Sequence, residues 1–201
     1  MPLPVINAPT YELTIPSTGQ TVQYRPFLVK EEKILLMANE GGETSEIVRA
    51  MKQIIGNCIQ DSYNTDNMPL FDVEYIFLKL RSKSVNEFSE VGFRCPECDE
   101  VNKVQIDLSE VEISTDDNHN NKVELTNDIG LIMKYPQLDS INMNDLQSTD
   151  VDTIFNVVSS CIDSIYQGEE IHDTDDYTKQ EISEFINNLT QEQFLKIQQF
   201  F

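Results

Sequence analysis

Phe88-Ser89-Glu90-Val91-Gly92-Phe93-Arg94-Cys95-Pro96-Glu97-Cys98-Asp99-Glu100-Val101-Asn102-Lys103-Val104-Gln105-Ile106-Asp107-Leu108 is where the chain changes its period. Before Lys83 the apolar residues recur at helical spacing; after it they alternate. Phe88, Val91 and Phe93 lead into Cys-Pro-x-Cys, and Val104, Ile106 and Leu108 lead away from it. Alternation on both sides of a tight, proline-stiffened turn predicts a β-hairpin with residues 95–100 at its tip. Two thiolates three apart on such a turn have the shape of half a zinc-ribbon knuckle. A closed structural site needs four ligands, and no second pair follows.

Working outward, residues 11–15 and 21–24 are short alternating segments around Pro16-Ser17-Thr18-Gly19, which predicts an opening hairpin. Arg25-Pro26-Phe27 breaks it. Residues 29–39, 45–63 and 71–80 then carry helical patterns. The second has the stripe Ile47, Val48, Met51, Ile54, Ile55 and Cys58, and the third Val73, Ile76, Phe77 and Leu80. Residues 122–135 return to strand, interrupted by Asp128-Ile129-Gly130. Residues 136–150 look irregular with a short helix, and the remainder is expected to be helical. Thr178-Lys179-Gln180-Glu181 and Thr190-Gln191-Glu192-Gln193 both fit the capping box, in which the threonine hydroxyl satisfies an orphan amide and the fourth residue reaches back. Tyr177 with Ile182, and Leu189 with Phe194, are the accompanying staples.

The expected class is therefore α+β: an N-terminal β-hairpin, a helical layer, a central β-hairpin with the knuckle, and a C-terminal helical region. The corresponding division is 1–84, 85–135 and an acidic 136–201.

The 201 residues suffice for a real core in one or two domains. A formal charge of -21 repels nucleic acid and anionic lipid and favours cationic partners. No apolar run approaches the roughly 20 residues of a membrane helix. Met1-Pro2-Leu3-Pro4 lacks the basic start and apolar core of a signal peptide. A reducing cytoplasm, with no disulfide framework, is the expected compartment.

No catalytic constellation is present: no nucleophile elbow, P-loop, dinucleotide fingerprint or H-E-x-x-H. A calcium loop beginning at Asp173 fails at its fifth and sixth positions, Tyr177 and Thr178. Cys58 and Cys161 lie on helical apolar stripes and are expected to pack as small hydrophobes. That leaves Cys95 and Cys98 as metal candidates, with a further ligand from His119 or a second chain. The expectation is no cofactor, zinc being the one ion the motif admits. Arg25 offers a planar fork to a carboxylate and Phe27 an aromatic anchor, which suit either a partner contact or a plain strand-to-helix joint. Phe194, Phe200 and Phe201 crowd apolar area onto a short terminal helix, which is expected to dock in this chain or on a partner. The chain stops at Phe200-Phe201 without a glycine cap, as if the helix ended inside a contact or the natural protein ran on.

Three stretches carry a family resemblance. They are Pro9-Thr10-Tyr11-Glu12-Leu13-Thr14-Ile15 continuing into Tyr24-Arg25-Pro26-Phe27-Leu28-Val29-Lys30-Glu31-Glu32-Lys33; Phe71-Asp72-Val73-Glu74-Tyr75-Ile76-Phe77-Leu78-Lys79-Leu80 running on to the knuckle; and the segment from Tyr177 to Phe201. Together they resemble the baseplate hub subunit of T-even-type contractile-tailed bacteriophages. The resemblance implies a non-enzymatic protein, expressed late in infection, that acts in assembly of the baseplate hub by contact with other hub proteins. It implies a place in the virion tail or in the host cytoplasm during assembly, and no nucleic-acid, membrane or small-molecule partner. It carries no catalytic residues to transfer. The alternatives are a transient assembly chaperone absent from the mature virion and, in another class, a zinc-knuckle regulatory adaptor.

Overall fold

The computed structural model describes residues 7–61, 63–65, 68–114, 116, 119–137 and 151–201. It is an α+β protein built as two compact units, Met1–Ile113 and Ser114–Phe201. The knuckle hairpin belongs to the first unit, whereas the strands that follow within 85–135 belong to the second.

In the first unit, β1 (Tyr11–Thr14) and β2 (Thr21–Tyr24) pair antiparallel, Tyr11 opposite Tyr24. The turn closes with Gly19 at φ +67, a left-handed conformation that a side chain would strain. Alternation buries Leu13, Val22 and Tyr24 on one face. Helix α1 (Val29–Gly41) ends on Gly42 at φ +72, whose N–H reaches Asn39 O. Helix α2 (Thr44–Cys58) buries Val48, Ile54, Ile55 and Cys58, and α3 (Leu70–Ser84) buries Val73, Ile76 and Leu80. These are the predicted stripes. Each such isoleucine or leucine contributes roughly 1.5–3 kcal/mol when wholly buried. The turn of the opening hairpin is tied to α3, because the buried Asp72 carboxylate accepts from the Ser17 amide at 3.1 Å and from the Ser17 hydroxyl. Burial raises the Asp72 pKa, and the two Ser17 bonds oppose that rise.

Strands β3 (Phe88–Arg94) and β4 (Val101–Asp107) form the knuckle hairpin in unbroken register from Phe88↔Asp107 to Arg94↔Val101. Its base is held to α3 by Lys79, whose ammonium donates to Ser109 O at 2.6 Å, and by the Lys83–Glu87 ion pair.

The second unit is a four-stranded antiparallel sheet, β5 (Lys122–Glu124), β6 (Ile129–Met133), β7 (Ile162–Gln167) and β8 (Glu170–Asp173), in that spatial order. With it come α4 (Val151–Ser160), a 3₁₀ turn at Thr174–Asp176, α5 (Lys179–Asn187) and α6 (Gln191–Gln198). Leu131, Met133, Cys161, Ile162, Ile186 and Ile197 are at the centre of its core. Residues 162–173 correct the expectation of an all-helical C-terminal region. Ile162 and Ser164 are buried on either side of the exposed Asp163, and Gly168 sits at φ +61 in a two-residue turn between Gln167 and Glu170. Glycine with positive φ at the first position of such a turn is the hairpin signal. It won over the surrounding helical pattern because β7 completes the pairing of β6.

Both predicted capping boxes are present. The Thr178 hydroxyl accepts from Glu181 N while Glu181 accepts from Thr178 N at 2.8 Å, and Thr190 and Gln193 repeat the exchange. Leu189 and Phe194 pack on the core of this unit. Tyr177 is exposed and its hydroxyl instead bonds His172 Nδ1 at 2.8 Å. The irregular segment expected at 136–150 lies, from 138 onward, outside the described residues.

Candidate functional site

The knuckle is built by the hairpin register. The Cys95 amide donates to Glu100 O at 2.9 Å and the Asp99 amide to Cys95 O at 3.0 Å, which closes the chain into a tight loop. Asp99 takes φ +60, the one positive φ of a non-glycine side chain among the described residues. Aspartate tolerates that conformation better than most residues. Its carboxylate is met by Arg94 Nη1 at 2.9 Å, an exposed pair that adds little stability but orients the tip. The half-buried Cys95 sulfur faces the Cys98 and Glu97 amides and the Cys98 thiol, which together lower its pKa. Cys98 is exposed. Among the described residues no group of three or more His, Cys, Asp and Glu side chains gathers to hold a metal ion, and the knuckle itself offers two sulfur donors.

Pairing across the hairpin sorts its two faces. Ser89 stands opposite Ile106, Val91 opposite Val104 and Phe93 opposite Asn102, so Val91, Phe93, Val104 and Ile106 share one face. Phe93 and Val104 are 53% and 46% exposed there. The other face carries the Glu90–Lys103 ion pair at 2.7 Å.

Arg25 and Phe27 sit at the joint between β2 and α1. Arg25 Nη2 donates to Glu31 Oε1 at 3.1 Å and to Asn57 O at 3.0 Å, and Nη1 donates to Pro26 O at 3.0 Å. Glu31 is completely buried, and its other oxygen accepts the Leu28 amide at 2.8 Å, serving the first turn of a helix whose N-cap residue has no polar side chain. Burial pushes the Glu31 pKa up, but the Arg25 and Leu28 bonds outweigh it and hold the carboxyl below its usual value. The bond from Glu31 likewise raises the Arg25 pKa. Phe27 is half-buried, and its amide donates to Ser84 Oγ at 2.9 Å, at the end of α3. The planar fork of Arg25 suggested a carboxylate partner or a plain strand-to-helix joint. What it did not show is that the carboxylate lies six residues on and doubles as a cap.

Of the terminal aromatics, Phe200 is buried, Phe194 stacks on Phe155 with centroids 4.7 Å apart, and Phe201 is 57% exposed against the edge of Phe200. His119 stacks on Tyr135 and lies 4.9 Å from the Phe200 ring centroid. Cys58 and Cys161 are wholly buried, and burial raises both thiol pKa values, that of Cys58 to about 11.

One surface went unremarked in the sequence. On α1, Val29, Leu36 and Met37 follow i, i+7, i+8 spacing and are 80%, 58% and 62% exposed. The signal was there, but Ile34 and Leu35 on the inner side obscured it.

The model of one family, T4 bacteriophage base plate protein, matches residues 8–201. The chain belongs to that family. It is a phage baseplate protein: a viral structural component of the tail baseplate, in contact with other baseplate proteins. No curated protein and no solved structure matches the chain. No helix among the described residues is long and apolar enough to cross a membrane.

Proposed function

We propose that this protein is a non-enzymatic subunit that acts in assembly of the baseplate hub, through contacts with other hub proteins. The observation that carries the reading is the exposed apolar side of α1, with Leu28, Val29, Leu36 and Met37 open to solvent on an acidic chain. Surface of this kind, rimmed by charge, marks a protein contact more often than a reaction site. The charge of -21 selects for neutral or basic partner surfaces and speeds encounter with them. Phe201 and the partly open ring of Phe27 extend the set of candidate contacts.

The test is Leu36→Glu with Met37→Glu, both on the outer side of α1, in a co-expression assay with the hub proteins. The expected result is a natively folded variant, judged by circular dichroism, that no longer co-purifies with hub components. Undiminished hub assembly by that variant overturns the reading. Mass spectrometry of purified tails then separates a retained subunit, present in stoichiometric amount, from an assembly chaperone that leaves.

A further inference from the structure

We propose that Cys95 and Cys98 are one half of a tetrahedral zinc site that a second copy of this chain completes. The chain contains four cysteines and two histidines, all among the described residues. Cys58 and Cys161 are sealed in hydrophobic cores, with no measurable exposure. His119 belongs to the second unit, where its exposed ring touches Tyr135 and Phe200, and His172 Nδ1 is engaged by Tyr177. The sulfur donors left to meet a metal at the surface are therefore the two at the hairpin tip.

The tip has the form that a thiolate metal site needs. The turn brings both sulfurs to one end of a rigid two-stranded arm, and Asp99 at φ +60 bends the chain back immediately after the second cysteine. The loop is closed by the Cys95 amide on Glu100 O at 2.9 Å and the Asp99 amide on Cys95 O at 3.0 Å, which holds the two cysteines on one tight turn.

Two features of the same hairpin lack their complement. Two thiolates are half of the four that close a structural zinc site. On the face bearing Val91, Phe93, Val104 and Ile106, Phe93 and Val104 are open to solvent and the other two are half-buried. A second copy of this hairpin, laid face to face with both arms running the same way, supplies two more thiolates at the shared tip and a matching apolar face. A two-fold contact is self-complementary in this way. The tip also carries Glu97, Asp99 and Glu100 against Arg94, on a chain that is acidic throughout. Two copies without metal repel each other, so the divalent cation is what makes the pairing favourable, and association is conditional on it.

The test uses the full chain, reduced and stripped of metal, titrated with zinc chloride and followed by sedimentation velocity with metal analysis. The expected result is about half a zinc per chain and a shift from monomer to dimer that chelator reverses. Cobalt(II) in place of zinc should give the sulfur-to-metal charge-transfer and intense visible bands of a tetrahedral thiolate site. Cys95→Ser and Cys98→Ser, both at the surface and checked for native circular dichroism, should lose the bands and the dimer together. His119→Asn and His172→Asn should keep both. One zinc per monomer, dimerisation without metal, no uptake, or uptake unchanged in the cysteine variants overturns the proposal. It is independent of the hub reading, because none of these outcomes involves a hub protein.

Discussion

Replacing Glu31 by alanine withdraws a buried carboxylate from the Arg25 guanidinium and from the Leu28 amide at the N-cap of α1 at once. The charge-assisted bond to Arg25 at 3.1 Å is worth about 1.5–3 kcal/mol, and the cap on the Leu28 amide about 1 kcal/mol. Breaking a buried pair from one side costs about 3–5 kcal/mol where the surviving charge is stranded. Here Arg25 keeps Pro26 O and Asn57 O as acceptors and retains 17% side-chain exposure, so the lower end applies. The expected loss is about 3 kcal/mol, a large fraction of a domain's stability and equivalent to roughly 1–3 M in urea midpoint. Glu31→Gln keeps an acceptor for both donors and should lose about half as much. With Arg25→Met, a double-mutant cycle should return a coupling of about 2 kcal/mol. The chain has no tryptophan, so urea unfolding is best followed by circular dichroism. Hydrogen exchange on peptides of α1 and α2 keeps the first unit's response separate from the second's. The sign with pH follows from the depressed folded pKa. The Glu31 contribution is fully present above the unfolded value near 4.5 and is lost as pH falls through the lower folded value. A Glu31→Ala variant within about 0.5 kcal/mol of the parent refutes this account of the joint.

Native-state labelling by a bulky thiol reagent at pH 8 should modify Cys95 and Cys98 quickly, and Cys58 and Cys161 only at the rate of unfolding; rapid labelling of all four contradicts their placement. Gly130→Ala should destabilise the second unit by several kcal/mol, because its Cβ would meet Val123 O at 2.6 Å and the Tyr166 ring that lies across it, and a melting temperature within about 2 °C of the parent counts against that packing. Deleting residues 193–201 removes Ile197 and Phe200 from the core of the second unit, and the truncated chain should lose the exchange protection of β6 and β7; full protection would show the helix to be dispensable.

Wherever short-range chemistry decided the structure, it could be read from the residues. Thr178 and Thr190 announce their helices because a capping box is complete within four residues. The knuckle hairpin is legible because alternation on both sides of Cys-Pro-x-Cys leaves one pairing, and that register runs without a slip. The β7–β8 hairpin was lost in a window dominated by helices, although Gly168 marked its turn. Its first strand, β7, is fixed by pairing with β6, which lies on the far side of α4 in the chain, and that long-range partner is invisible to local periodicity. Asp72 shows the same limit. It looks like an ordinary first-turn acid of α3, and its role depends on Ser17 being brought to it by the fold.

The Asp72 clamp has a temporal side. β1 and β2 leave the ribosome well before α3, and the carboxylate that secures their turn is encoded 55 residues after Ser17. The backbone that extends β2, through Gln60 N to Gln23 O and Arg25 N to Cys58 O, also comes late. A lone two-stranded hairpin is marginal in water. At about 5–20 residues per second, synthesis leaves these strands unsecured for roughly 3–11 s, during which their edges are open to any neighbouring nascent chain. Crowding of the same polypeptide on one message is therefore most hazardous for the first two dozen residues, and substitutions that slow translation between 24 and 72 would lower the yield of folded protein without altering a single native contact.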